Sequence, residues 1–112
     1  MTNIRKLTED YAAAFDIRDL DKVVHHFAED FQLTDPDIAE LTPKGAVTNY
    51  IARLFAAHKA LSFEAHDIIV DGDKSVIHFT LKLDQITLDG VDVISWKSGK
   101  MTCMQAYLTQ RT

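Results

Sequence analysis

Asp35 stands directly before Pro36 at the end of a short apolar run, Phe31-Gln32-Leu33. Proline has no N–H and disfavours the α region for the residue before it, so Asp35 should be held extended at a strand end. A carboxylate fixed in that way can face a cavity instead of bulk water, where it is a candidate proton acceptor. Asp92 lies on the alternating run Val91 to Lys97 and must share one face with Ile94 and Trp96, unusual neighbours for a carboxylate. Tyr11 falls in the middle of an apolar stripe made by Ile4, Leu7, Ala14 and Phe15 at three- and four-residue steps. Each of the three also has a plainer role open to it. Asp35 can shape a turn through its own side chain, Tyr11 can be a core tyrosine, and Asp92 can be solvated at a hairpin mouth just after Asp89-Gly90.

The other reactive types form no comparable set. His25 and His26 are neighbours on a helical pattern and point about 100° apart, so they cannot chelate one metal together. His25 with Glu29 and His26 with Asp30 do share a face, but solvated helix-end histidines are the expectation. His58 sits near another helix end, and His66 and His78 fall on strands. No metal site and no cofactor are expected. Cys103 is the only cysteine and cannot make an internal disulfide, so it is expected to be a small buried hydrophobe. There is no Gly-x-Ser-x-Gly elbow, no phosphate-binding glycine-rich loop and no histidine placed beside Cys103, which leaves covalent catalysis without support.

The elements that must position the three residues are legible from periodicity. The first helix starts near Ile4 and carries Tyr11 on its apolar stripe. Asp16-Ile17-Arg18-Asp19 breaks the pattern, and Asp19 is a good N-cap for a second helix with Leu20, Val23, Val24 and Phe27 on one stripe. Asp21 near its start and the two histidines near its end suit the helix dipole. The short strand ending at Asp35-Pro36 follows, then a polar loop through Glu40. Thr42-Pro43 reads as an N-cap followed by proline at the first helical position. It opens a third helix of roughly 16 residues with Val47, Tyr50, Ile51, Leu54, Phe55 and His58 on its stripe.

After Leu61 the pattern becomes β. Asp71-Gly72, Asp89-Gly90 and Ser98-Gly99 read as turns between four antiparallel strands in a meander. Ile77, Phe79, Leu81 and Leu83 alternate with more polar neighbours, so the apolar set faces the helices. Between Met101 and Leu108 both alternating sets are partly apolar, which calls for a covering on the second sheet face. A homodimer is the simplest one. The order of helices first and curled sheet second gives an α+β domain, with 1–112 as a single unit. Tyr50, Leu54, Phe55, Trp96, Met104 and Leu108, with Phe15, would wall any pocket that these elements enclose.

Composition sets outer limits. With 46% hydrophobic residues in 112, the chain can bury a sizeable core without metals or disulfides. The net charge of −5, with no block of Lys or Arg, lacks the footprint of a nucleic-acid or anionic-membrane binder. Neither an apolar leader nor a long apolar span is present, so a cytoplasmic location is expected.

Taken in order, Tyr11-Ala12-Ala13-Ala14-Phe15, Asp19-Leu20-Asp21, Phe27-Ala28-Glu29-Asp30, Asp35-Pro36, Gly45, Gly90-Val91-Asp92 and Gly99-Lys100 resemble one pattern. It is that of the nuclear transport factor 2-like (NTF2-like) superfamily, in the branch of SnoaL-type polyketide cyclases and ketosteroid isomerase. The resemblance covers nearly the whole chain. It implies a cone-shaped α+β fold in which three N-terminal helices close a strongly curved antiparallel sheet around an apolar pocket, often dimeric through the outer sheet face. For the isomerase it implies an aspartate base falling on Asp35, with Tyr11 and a protonated Asp92 as hydrogen-bond donors to an enolate oxygen. The implied ligand is a small apolar carbonyl compound, and the implied activity is a cofactor-independent isomerase or cyclase. A non-catalytic ligand-binding or dimerising module stands beside it. Polyketide cyclases of the family often use a pocket histidine too, and none of the five aligns with it. Limonene epoxide hydrolase, another relative, needs an Asp-Arg-Asp group, which Lys82-Leu83-Asp84 does not supply.

Overall fold

The computed structural model describes residues 2–111. Helix α1 (Ile4–Asp16) begins where the Asn3 side chain accepts from the Lys6 N–H, and it buries Thr8, Tyr11, Ala12, Ala14 and Phe15 on one face. It ends at Arg18, which takes a positive φ of 57°. The N–H groups of Arg18 and Asp19 return to the Phe15 and Ala14 carbonyls, satisfying groups the helix end would otherwise leave open. Asp19 then caps helix α2 (Leu20–His25) by accepting from the Lys22 N–H.

Strand β1 (Phe27–Asp35) follows almost at once. Phe27, expected on the second helix, opens this strand and pairs with Met101, because a four-residue step from Val23 looks the same in sequence whether or not the helix continues. The polar stretch expected to be a loop through Glu40 contains a short strand, β2 (Ile38–Leu41), paired antiparallel to β1. It lies at the sheet margin, with Ala39 and Glu40 exposed, so it needs no apolar run to signal it. Helix α3 (Lys44–Ala57) has 14 residues. Pro43, not Thr42, occupies its N-cap position, and no side chain caps it.

The remaining chain is a meander of β3 (Leu61–Asp71), β4 (Lys74–Leu83), β5 (Ile86–Lys97) and β6 (Lys100–Gln110). The full sheet has the order β2-β1-β6-β5-β4-β3. The β1–β6 pair is parallel and every other pair antiparallel, so the expected all-antiparallel sheet has one exception. This is the fold expected from the sequence: an α+β arrangement of three helices on a curved, unclosed six-stranded sheet.

One expected turn is misplaced. Asp89-Gly90 lies within β5, and the β4–β5 reversal falls at Asp84-Gln85 instead, with Asp84 at a φ of 55°. Gly90 serves a different need. A Cβ there would collide with the Tyr107 carbonyl oxygen and the Leu108 side chain, and would lie 3.1 Å from Phe79 Cζ. The glycine therefore lets β6 and the Phe79 ring close over the strand.

Alternation in the strands decides the core. Ile77, Phe79, Leu81 and Leu83 of β4 are buried toward the helices, as are Ile94 and Trp96 of β5 and Met101 and Met104 of β6. The opposite sheet face carries Ile69 and Tyr107, 61% and 56% exposed. Cys103 is half-buried rather than buried, because it sits one position out of phase with Met104.

Candidate functional site

A cavity of about 430 Å³ opens between the concave sheet face and helices α1 and α3. Tyr11, Asp35 and Asp92 all line it. Three separate elements bring them there: α1 carries Tyr11, the end of β1 carries Asp35, and the middle of β5 carries Asp92. Pro36 and Asp37 are exposed and also line the cavity, which puts its mouth at the turn after β1.

Asp35 both lines the cavity and shapes the turn. Its Oδ1 accepts from the Asp37 and Ile38 N–H groups, both at 2.8 Å, which closes the turn before β2. Its Oδ2 accepts from the Tyr50 hydroxyl at 3.2 Å. Burial and then the charge of Asp35 push the Tyr50 phenol up to about 12. Tyr50 was expected only as a wall residue; its hydroxyl is the side-chain partner that orients the Asp35 carboxylate. The path from Asp35 through β2 and into α3 gives no sequence signal of that bond.

Asp92 is in a different state. It is 5% exposed, with Ile77 and Ala106 opposite it on β4 and β6. Among the described residues no donor reaches its carboxylate. Burial alone pushes its pKa up to about 7, since the apolar surroundings penalise the charged form. Tyr11 is also buried; among the described residues its hydroxyl has only the Met104 sulfur as partner, at 4.0 Å. Burial, and next the Asp92 carboxylate, push its phenol well above the ordinary value.

Of the wall residues expected from sequence, Phe15, Tyr50, Leu54, Met104 and Leu108 line the cavity. Phe55 and Trp96 do not. Phe55 packs edge-on behind Phe15, with ring centroids 5.1 Å apart. Trp96 is drawn to the far end of the core, where its indole N–H donates to Ser75 Oγ at 2.9 Å, and Ser75 also meets the Thr8 hydroxyl at 2.8 Å. The wall gains two stacked pairs instead: Phe27 on Phe31 at 4.2 Å and Phe63 on Phe79 at 4.6 Å. The alternation of β4 had already turned Phe79 inward, while Phe27 was hidden by its apparent place on a helix.

The histidines stay out of the cavity wall. His26, expected to be solvated, is 7% exposed and packs edge-on against Tyr11 and Trp96, at 6.1 and 6.2 Å. Burial, and then neighbouring His25, hold its pKa below the ordinary value. Among the described residues no group of three His, Cys, Asp or Glu side chains is placed to hold a metal. No helix among them is long and apolar enough to cross a membrane.

Comparison with solved structures gives the same fold at low identity. An NTF2-like protein of unknown function from Cytophaga hutchinsonii matches with a TM-score of 0.85 at 12% identity, over 97% of this chain and 92% of that one. A second protein of that description, from Burkholderia pseudomallei, gives 0.85 at 20% identity over 97% and 92%. A Kribbella flavida protein, whose assignment as a ketosteroid isomerase is provisional, gives 0.82 at 15% identity over 96% and 78%. No curated protein matches the chain in sequence. The SnoaL-like domain model matches residues 8–104, a span that takes in all three cavity residues. By fold and by that match, the chain belongs to the SnoaL-like domain family.

Proposed function

We propose that the protein binds a small apolar carbonyl compound in this cavity and isomerises or cyclises it by proton transfer next to the carbonyl, without a cofactor. Asp35 is the base. Tyr11 and protonated Asp92 donate hydrogen bonds to the oxygen on which enolate charge develops, and Asp35 returns the proton to a second carbon. One observation carries the reading: a cavity walled mostly by hydrocarbon is also lined by Tyr11, Asp35 and Asp92, the acid and base types that this reaction needs. Burial of Asp92, which lifts its pKa to about 7, supplies the neutral carboxyl that can donate. Membership in the SnoaL-like family accords with such chemistry, and the provisional isomerase from Kribbella flavida shares the fold.

The test follows conjugation of a β,γ-unsaturated ketone by ultraviolet absorbance. Asp35→Asn keeps an oxygen for the two turn hydrogen bonds but cannot take the proton, so the rate should drop by about 10²–10⁴-fold. Equal rates for the two proteins would remove the proposed base.

A second reading, a ligand-binding or dimerising module without catalysis, has its own support. Both Asp35 oxygens already have partners, and those bonds hold the turn whether or not a proton is ever transferred. A ketone that binds without being converted would favour it. Under either reading the protein works as a cytoplasmic homodimer joined through the outer sheet face around Tyr107 and Ile69, the large apolar side chains exposed there.

A further inference from the structure

Asp92 raises a problem that proton transfer alone does not solve. A carboxylate that is 5% exposed ordinarily has a counter-ion or several donors, since burying an uncompensated charge is expensive. Here no donor reaches it among the described residues, and no Lys, Arg or His lines the cavity. The groups that face it from the surrounding elements are Tyr11 on α1, Tyr50 on α3, and Asp35 with Asp37 at the mouth. The tyrosines are kept protonated by burial. From β4 and β6 its opposite neighbours are Ile77 and Ala106.

Among the more numerous aliphatic side chains of the wall, aromatic rings are also present. Phe79 closes over Gly90, two positions from Asp92 on the same face of β5, and Phe63 stacks on Phe79. Phe27 and Phe31 form the second stacked pair, and Tyr11 lies 6.5 Å from Phe27. Ring faces attract cations through their quadrupole, most strongly where water is excluded. The volume of about 430 Å³ is that of a small-molecule site.

We infer that the cavity binds a hydrophobic organic cation, an amine with alkyl or aryl substituents, whose ammonium sits against Asp92 and whose apolar body lies among Phe27, Phe31, Phe63 and Phe79. The missing counter-ion of Asp92 is then supplied by the ligand. The inference rests on the cavity being a ligand site, as in the function proposed above, but not on proton transfer. It also assigns the two ligand classes to two states of one group: protonated Asp92 donates to a carbonyl oxygen, and ionised Asp92 accepts an ammonium. With the Asp92 pKa near 7, pH selects between them.

The test is calorimetric titration of the whole chain at pH 6, 7 and 8 with benzyltrimethylammonium, whose charge is fixed, so that any pH dependence belongs to the protein. Its neutral isostere, neopentylbenzene, is titrated directly in the same way, with the same small fraction of ethanol in both series. The ammonium should bind at least tenfold more tightly than the isostere at pH 8. Its affinity should rise about tenfold from pH 6 to pH 8 as Asp92 ionises. Asp92→Asn should remove both the preference and the pH dependence. The wild-type series stands by itself if that variant does not fold. An isostere that binds at pH 8 as well as the ammonium overturns the inference. So does a pH dependence that survives in Asp92→Asn, which would place its origin elsewhere, for instance at His26 behind Tyr11. If neither compound binds at any pH, the cavity is not a ligand site and the function proposed above falls with the inference. Tight binding of the isostere alone removes only the cation.

Discussion

Replacing Asp92 by Asn should make the protein more stable at alkaline pH, although it removes a cavity side chain of the native protein. The sign follows from the direction of the shift. Asp92 has its pKa raised from 3.8 to about 7 in the folded state, so between these values the folded protein holds a proton that the unfolded chain has lost. Stability therefore falls as pH rises through that window and is level above it. The window spans about three pH units, each worth about 1.4 kcal/mol, so the ionised carboxylate costs up to about 4 kcal/mol at pH 8. Asparagine has nearly the same shape and no charge to bury. Urea unfolding of both proteins at pH 5, 6, 7 and 8 isolates the effect. The Asp84 and Asp89 carboxyls, held low by hydrogen bonds to the Ala60 N–H and the Arg111 guanidinium respectively, are common to both proteins and cancel in the difference. So does His26. The stability advantage of Asp92→Asn should grow steadily from pH 5 to pH 7 and then level off. A difference that stays constant over that range, or that favours the wild type more as pH rises, would refute a buried, unpaired carboxylate.

In the same variant pair, kcat/KM for the ketone should fall about tenfold per pH unit above pH 7 in the wild type, as the donor form of Asp92 disappears, and Asp92→Asn should lack that limb. Asp35→Ala loses the bonds to Asp37 N and Ile38 N and the Tyr50 contact, and should cost about 1–2 kcal/mol in urea unfolding, whereas Asp35→Asn should cost less. Gly90→Ala forces a methyl against the Tyr107 carbonyl and the Leu108 side chain and should destabilise by about 1–3 kcal/mol or prevent folding, as read from the urea midpoint. Ser75→Ala leaves the Trp96 indole N–H without its acceptor in the core and should cost about 1–3 kcal/mol by the same measurement, with ligand affinity unchanged because Ser75 is outside the cavity wall.

The sequence revealed what depends on period and on local backbone chemistry. The stripe of α1, the Asp19 cap, the alternation of β4 and the inward face of Asp92 are all of that kind, and the structure has each of them. What it hid depends on partners distant in the chain. Asp89-Gly90 has the composition of a turn, yet Gly90 answers to Tyr107, Leu108 and Phe79, which no local pattern can announce. Strand β2 is made by its pairing to β1 and not by its polar residues. Phe27 keeps helical spacing from Val23 but takes its place from Met101, across more than seventy positions of chain. Trp96 was rightly turned inward, but its N–H then followed Ser75 to the far end of the core.

The same division separates the two aspartates. Residue type and position could nominate both Asp35 and Asp92, and the turn bonds of Asp35 are local, but its bond to Tyr50 and the lack of a donor at Asp92 depend on partners distant in the chain. Asp35 is surrounded by donors: two backbone N–H groups and a tyrosine hydroxyl fix its direction. Asp92 has none among the described residues, and its buried position favours the neutral form. Two carboxyl groups at one cavity thus differ in their surroundings, one furnished with donors and the other buried without them. In the function proposed above, the first is the base and the second the acid. It follows that the variants separating function from fold are those that alter donors and not shape. Tyr50→Phe removes one donor from Asp35 and leaves the backbone pair, and Asp92→Asn removes a charge and leaves the volume.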